Sequence, residues 1–368
     1  MTNANLAALS AAGVSVWLDD LSRQLLASGE LENRMSAYSI VGVTTNPAIF
    51  QSALADSSAY ESALTDAVHA DRDVDSVVRA LTTSDVRDAC DVLAGVHRAT
   101  DGVDGRVSLE VDPRLADDTA ATVTQAVELS EVVDRPNVMI KIPATAAGLP
   151  AITDVIGKGI DVNVTLIFSA EQYRKVAQAY LTGLEQAAAA GHDLSTIHSV
   201  ASVFVSRLDS EIDSRLPETS DLRGQAGLAN ARLCQEVFDE VFDPAGRFGE
   251  LADRGARPQR LLWASTGVKD PAYPDTLYVT GLVTHGTVNT MPFATIEAFA
   301  DHGVVTGDTV RDTAEDSRAT LEALQGEGID LDEVFALLEQ QGVQKFVTAW
   351  DDLLDTVRAR IDEIPTGS

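Results

Sequence analysis

The stretch NVMIKIP, residues 137–143, sets a lysine inside an otherwise apolar run with the look of a β-strand. Side chains alternate across a strand with a period of two, so Val138, Ile140 and Ile142 share one face while Met139 and Lys141 share the other. The same division recurs along the chain. In RVSLEV (106–111), Val107, Leu109 and Val111 oppose Ser108 and Glu110; in DVNVTLIF (161–168), Val162, Val164 and Leu166 oppose Asn163 and Thr165. In VSVWLD (14–19), Val14, Val16 and Leu18 oppose Ser15, Trp17 and Asp19; in SVASVFV (199–205), Ala201, Val203 and Val205 oppose Ser202 and Phe204. Three more β-rich runs, SIVGVTTN (39–46), LLWAS (261–265) and GTVNTM (286–291), bring the total to eight.

Longer segments of helical period separate these runs. Ala170 to Ala190 reads as a helix entered at Ser169, with Gln172 three residues on in the capping-box position. Ala229, Leu233, Val237 and Val241 recur on one helical face. Strand followed by helix, eight times, indicates an α/β protein with a parallel sheet, either a doubly wound open sheet or a closed barrel. The strand faces favour closure. A parallel strand covered on both sides is apolar throughout, whereas here one polar face recurs on five strands, and a barrel interior accounts for it. The expected fold is a (β/α)8 TIM barrel with additional helices and a helical C-terminal extension. The aliphatic faces should pack under the helices and the polar faces should point inward, with function at the C-terminal strand ends. Asp19, Asn46, Glu110, Lys141 and Thr165 all sit late in their runs. No repeat or long linker divides the chain, so residues 1–368 are expected to form one barrel unit with 306–364 as a helical segment packed on it.

Composition narrows the function classes. With 45% apolar residues the chain of 368 can bury a sizeable core. Its 27 basic against 57 acidic side chains leave a net charge of −30, spread along the sequence. Such a field repels nucleic acids and anionic membranes, so neither is an expected partner, and a phosphorylated ligand needs a local cationic pocket. Cys90 and Cys234 are too few for a disulfide framework and lack metal-site spacing, which fits a reducing cytoplasm. The opening MTNANLAALSAAG resembles no secretory leader, and no apolar run is long enough to span a membrane. Asn163-Val164-Thr165 matches a glycosylation sequon but lies inside a strand-like run, where it reads as chance.

Lys141 is the most informative residue, because a buried ammonium is costly without partners. It reads either as an interior ion pair with Glu110 or Asp19, or as a nucleophile towards carbonyls. Amine attack on a ketone gives a carbinolamine, and its dehydration to an iminium needs a proton donor and later a base within reach. Asp19 and Glu110 could supply both. Asn46, Asn163, Ser202 and Thr165 are neutral groups suited to a polyhydroxylated chain, and each also serves as an interior polar residue elsewhere in proteins.

The runs VGVTTNPAIF (41–50), VSLEVDPRLADDT (107–119), NVMIKIPATAAGLPAI (137–152), VNVTLIFS (162–169) and SVFVSRLDSEID (202–213) resemble transaldolase. ASTGVKDPAYPDTLYV (264–279) and GVQKFVTAWDDLL (342–354) are similar to its longer bacterial subfamily. The likeness implies a metal-free class I enzyme without a cofactor. Such enzymes move dihydroxyacetone from sedoheptulose 7-phosphate to glyceraldehyde 3-phosphate, giving erythrose 4-phosphate and fructose 6-phosphate. It implies Lys141 as the Schiff-base lysine, Asp19 as the group that takes the donor hydroxyl proton, and Glu110 acting through a water held by Thr165. It further implies Asn46, Asn163, Thr44 and Ser202 around the dihydroxyacetone unit, with Phe204 and Ser265 beside the substrate. Arg207 would hold its phosphate, and Lys269 is the nearest match to a second family cation. Two other readings are a fructose-6-phosphate aldolase-like enzyme, which releases dihydroxyacetone, and a sugar-phosphate binder without turnover. Monomer and homodimer both remain open.

Overall fold

Eight parallel strands close on themselves in chain order: β1 (Val14–Asp19), β2 (Ile40–Thr44), β3 (Arg106–Glu110), β4 (Val138–Pro143), β5 (Val162–Ile167), β6 (Ser199–Phe204), β7 (Arg260–Ala264) and β8 (Thr287–Met291). β8 pairs back onto β1, which excludes the open sheet. The computed structural model describes residues 2–55, 58–70 and 72–364. Every β-rich run read from the sequence is one of these strands.

The alternation has the expected packing consequence. Val14, Val16, Leu18, Val107, Leu109, Ile140, Ile142, Val162, Val164 and Val203 all join the main core. Burying each such side chain fully contributes about 1.5–3 kcal/mol. The other face is less uniformly polar than the sequence suggests. Trp17, Met139, Val200, Leu262 and Val288 belong to a second apolar cluster. Below it, Asp104 accepts hydrogen bonds from Ser15 Oγ (2.7 Å), Trp17 Nε1 (3.0 Å) and Arg260 Nη1 (3.1 Å), which stops the N-terminal end. The indole fits because β2 carries Gly42 beside it, where a Cβ would lie only 2.5 Å from the ring.

Leu166 departs from its expected face. Pairing between β5 and β6 shifts register between Val164 and Ile167, and Leu166 takes a left-handed φ of 60°, uncommon for a residue with a Cβ. A bulge re-aims the side chain it contains. Leu166 therefore leaves the aliphatic face of β5 and joins Phe168 in the second cluster.

The helix Ala170–Ala190 starts where the sequence places it, with Ser169 Oγ accepting the Gln172 N–H at 3.0 Å. The return bond is displaced: Gln172 Oε1 takes the N–H of Phe168, not that of Ser169. In the C-terminal segment residues 306–313 form no helix, and helices Ala314–Gly326 and Leu331–Asp362 follow. Asp330 caps the second helix through the Glu333 N–H at 3.1 Å. Its residues Leu331, Val334, Leu338 and Phe346 recur at helical spacing and enter the same cluster as Leu166 and Phe204. Further along, Leu353, Leu354 and Val357 reach the main core. No helix among the described residues is long and apolar enough to cross a membrane.

Candidate active site

Register makes Lys141 on β4 the neighbour of Glu110 on β3. Lys141 Nζ donates to the Thr45 carbonyl at 2.9 Å and lies 3.4 Å from Glu110 Oε2. Both side chains are almost wholly removed from solvent, at 7% and 4% exposure, so the pair and the carbonyl together replace lost hydration. Burial pushes the Glu110 carboxyl up to about 7, with Lys141 pulling it down and Asp19 pushing it further up. Burial also raises Asp19, opposed by the Thr44 hydrogen bond and by the charges of Lys141, Arg207 and Lys269. Thr44 Oγ1 donates to Asp19 Oδ1 at 2.7 Å and lies 2.6 Å from Thr290 Oγ1.

Asp19, Thr44 and Lys141 border a cavity of about 190 Å³ at the C-terminal ends of the strands. Asp19, Thr44, Asn46, Lys141, Thr165, Ser202, Phe204, Arg207, Ser265 and Lys269 all line it. Two of the residues singled out in the sequence do not. Glu110 lies on the wall of a second, smaller cavity of about 30 Å³, shared with Thr45, Asp112 and Gln125 and large enough for a water molecule. Asn163 is fully buried, donating to Ser108 Oγ at 3.0 Å and accepting from Ser202 Oγ at 2.7 Å. It thus orients Ser202, which does reach the cavity.

Arg207 lies in the first turn of the helix after β6, its guanidinium carbon 4.9 Å from the Phe204 ring centroid. Its buried Nη1 has no hydrogen-bond partner, and the Thr165 hydroxyl is likewise buried and unpartnered. Unsatisfied buried polar atoms call for a reason, and an oxygen-rich ligand satisfies both. Lys269 stands exposed at the rim. Its loop is tied to the Arg207 helix by Tyr273 Oη donating to Asp213 Oδ2 at 2.7 Å and Tyr278 Oη donating to Asp209 Oδ2 at 2.7 Å. Ser265, left-handed at φ 55°, places its hydroxyl 2.9 Å from that of Ser206 on the same helix.

Residues 16–357 match the family model Transaldolase/Fructose-6-phosphate aldolase. The chain belongs to this family of enzymes. Among similar proteins, one named transaldolase from Mycobacterium tuberculosis is 58% identical over 365 residues, covering 98% of both chains. Transaldolases from Mycolicibacterium smegmatis and Mycobacterium marinum are 59% and 58% identical, again over 98% of each chain.

The cavity contains residues that the sequence reading missed. Thr290, Gly267, Pro292, Ala264 and Phe346 also line the cavity. Thr290 had a signal, since it sits late in its run on the same parity as inward-facing Val288. Phe346 had none, because it arrives from a helix outside the barrel.

Proposed function

We propose that the chain works as a transaldolase, moving dihydroxyacetone from sedoheptulose 7-phosphate to glyceraldehyde 3-phosphate in the pentose phosphate pathway. The observation that carries this reading is Lys141, a buried amine 3.4 Å from a carboxyl held near 7 and in one cavity with Asp19 and Arg207. A carboxyl near neutrality can both give and take protons at the operating pH. Lys141, as the free amine, attacks the ketone. Glu110 moves protons through a water held by Thr165 as the carbinolamine forms and loses water to an iminium. Asp19 then takes the hydroxyl proton, the carbon-carbon bond breaks, and its electrons flow into the iminium to leave an enamine. Erythrose 4-phosphate departs. The enamine adds to glyceraldehyde 3-phosphate, whose oxygen takes the proton back from Asp19, and hydrolysis frees fructose 6-phosphate and the amine.

Asn46, Ser202 and Thr44 hold the dihydroxyacetone hydroxyls, with Asn163 fixing Ser202 from beneath, while Phe204 and Ser265 flank the sugar. Arg207, supported by Lys269, takes the phosphate. A cytoplasmic setting fits such substrates and the two free, buried cysteines. Incubation with sedoheptulose 7-phosphate and glyceraldehyde 3-phosphate should give erythrose 4-phosphate and fructose 6-phosphate in equal amounts. Release of free dihydroxyacetone in place of fructose 6-phosphate would make the chain an aldolase, and no turnover would leave it a binder.

A further inference from the structure

The helix Leu331–Asp362 carries an aromatic ring into a cavity otherwise built from barrel strands, the loops that follow them and the first turn of the helix after β6. The Phe346 ring centroid lies 5.8 Å from Lys141 Nζ and 6.0 Å from the Arg207 guanidinium carbon. Its depth depends on Gly342, one turn earlier on the same face. A Cβ on Gly342 would lie 3.1 Å from Leu166 Cδ2 and 3.3 Å from the Phe168 ring. The helix therefore packs closely on the bulge of β5, and a branched side chain at that point would press on Leu166 and Phe168 and shift the ring.

We propose that Phe346 is a specificity-determining residue: it keeps water from the carbon that becomes nucleophilic next to Lys141, so that an aldehyde and not a proton ends the half-reaction. This inference rests on the transaldolase reading and deepens it. The enamine on Lys141 has two fates. It can attack an aldehyde carbon, forming a new carbon-carbon bond while the aldehyde oxygen takes a proton. Alternatively its carbon takes a proton from water, giving the iminium of dihydroxyacetone and a hydroxide; the hydroxide adds to the iminium carbon, and the carbinolamine so formed breaks its carbon-nitrogen bond, releasing dihydroxyacetone and restoring the amine. No oxidation or reduction occurs on either route. A phenyl ring offers water no hydrogen bond of ordinary strength, so water beside it is poorly held, whereas a sugar aldehyde brings hydroxyls and a phosphate that Ser202 and Arg207 can bind.

The test supplies fructose 6-phosphate with erythrose 4-phosphate and measures the ratio of dihydroxyacetone released to sedoheptulose 7-phosphate formed. This ratio does not change when part of a preparation is unfolded. Phe346→Ala should raise it about tenfold or more, the scale on which apolar contacts discriminate in active sites, and Phe346→Leu should raise it less. Gly342→Val, which keeps the ring but displaces its helix, should raise it too. An unchanged ratio in Phe346→Leu or Phe346→Ala, where borohydride still traps the dihydroxyacetone adduct, overturns the proposal while leaving the transaldolase reading intact. Failure of the unmutated chain to form any adduct removes that reading and this inference with it.

Discussion

Glu110 couples burial to chemistry most directly, since its side chain is 4% exposed yet its carboxyl is held near 7 beside an amine. In the iminium-forming step proposed above it gives up a proton. It holds that proton below about 7 and loses it as pH rises through that value, so the rate of adduct formation should fall across the same range. Glu110→Gln should flatten that limb and slow the step about 100-fold, as read by rapid-quench borohydride trapping at several pH values. An undiminished inflection in the variant would assign it to another group. Arg207 makes a separate prediction. Loss of a charged hydrogen bond costs about 1.5–3 kcal/mol, so Arg207→Ala should raise KM for fructose 6-phosphate roughly tenfold to a hundredfold, and an unchanged KM would remove it from the phosphate site. Lys141, Asp19 and Glu110 were legible in the sequence because ionisable groups inside apolar strands are conspicuous. Asn163 was legible as a polar residue, but its place beneath Ser202 depends on a cross-strand hydrogen bond that spacing does not reveal.

At the scale of elements, the strands were readable because each keeps an apolar face against helices, and a shift of one residue would expose it. Leu166 defeated the parity rule because the left-handed turn lies in a single φ angle, which apolar patterning does not encode. Filling of the barrel was equally hidden, since Trp17 shares a face with Asp19 and yet packs among apolar side chains. Gly42 tests that packing. Gly42→Ala places a Cβ 2.5 Å from the indole, and overpacking of this kind costs about 1–3 kcal/mol. Its thermal unfolding midpoint should drop, and an unchanged midpoint would mean the indole yields without resistance.

For the whole molecule, a net charge of −30 opposes the approach of a phosphorylated sugar, so the binding attraction has to be local. Lys141, Arg207 and Lys269 line one cavity together with the carboxyl of Asp19, and Glu110 stands behind it, 3.4 Å from Lys141. The C-terminal helix completes that arrangement from outside the barrel, which explains why its role was visible in the sequence only as a likeness to longer relatives. The whole mechanism depends on a covalent bond between Lys141 and a keto sugar, and borohydride reduction with fructose 6-phosphate followed by peptide mass mapping detects that bond. The expected result is a dihydroxyacetone-derived mass on the Lys141 peptide, absent in Lys141→Ala together with turnover. An adduct on a different lysine, or normal turnover by Lys141→Ala, would contradict it.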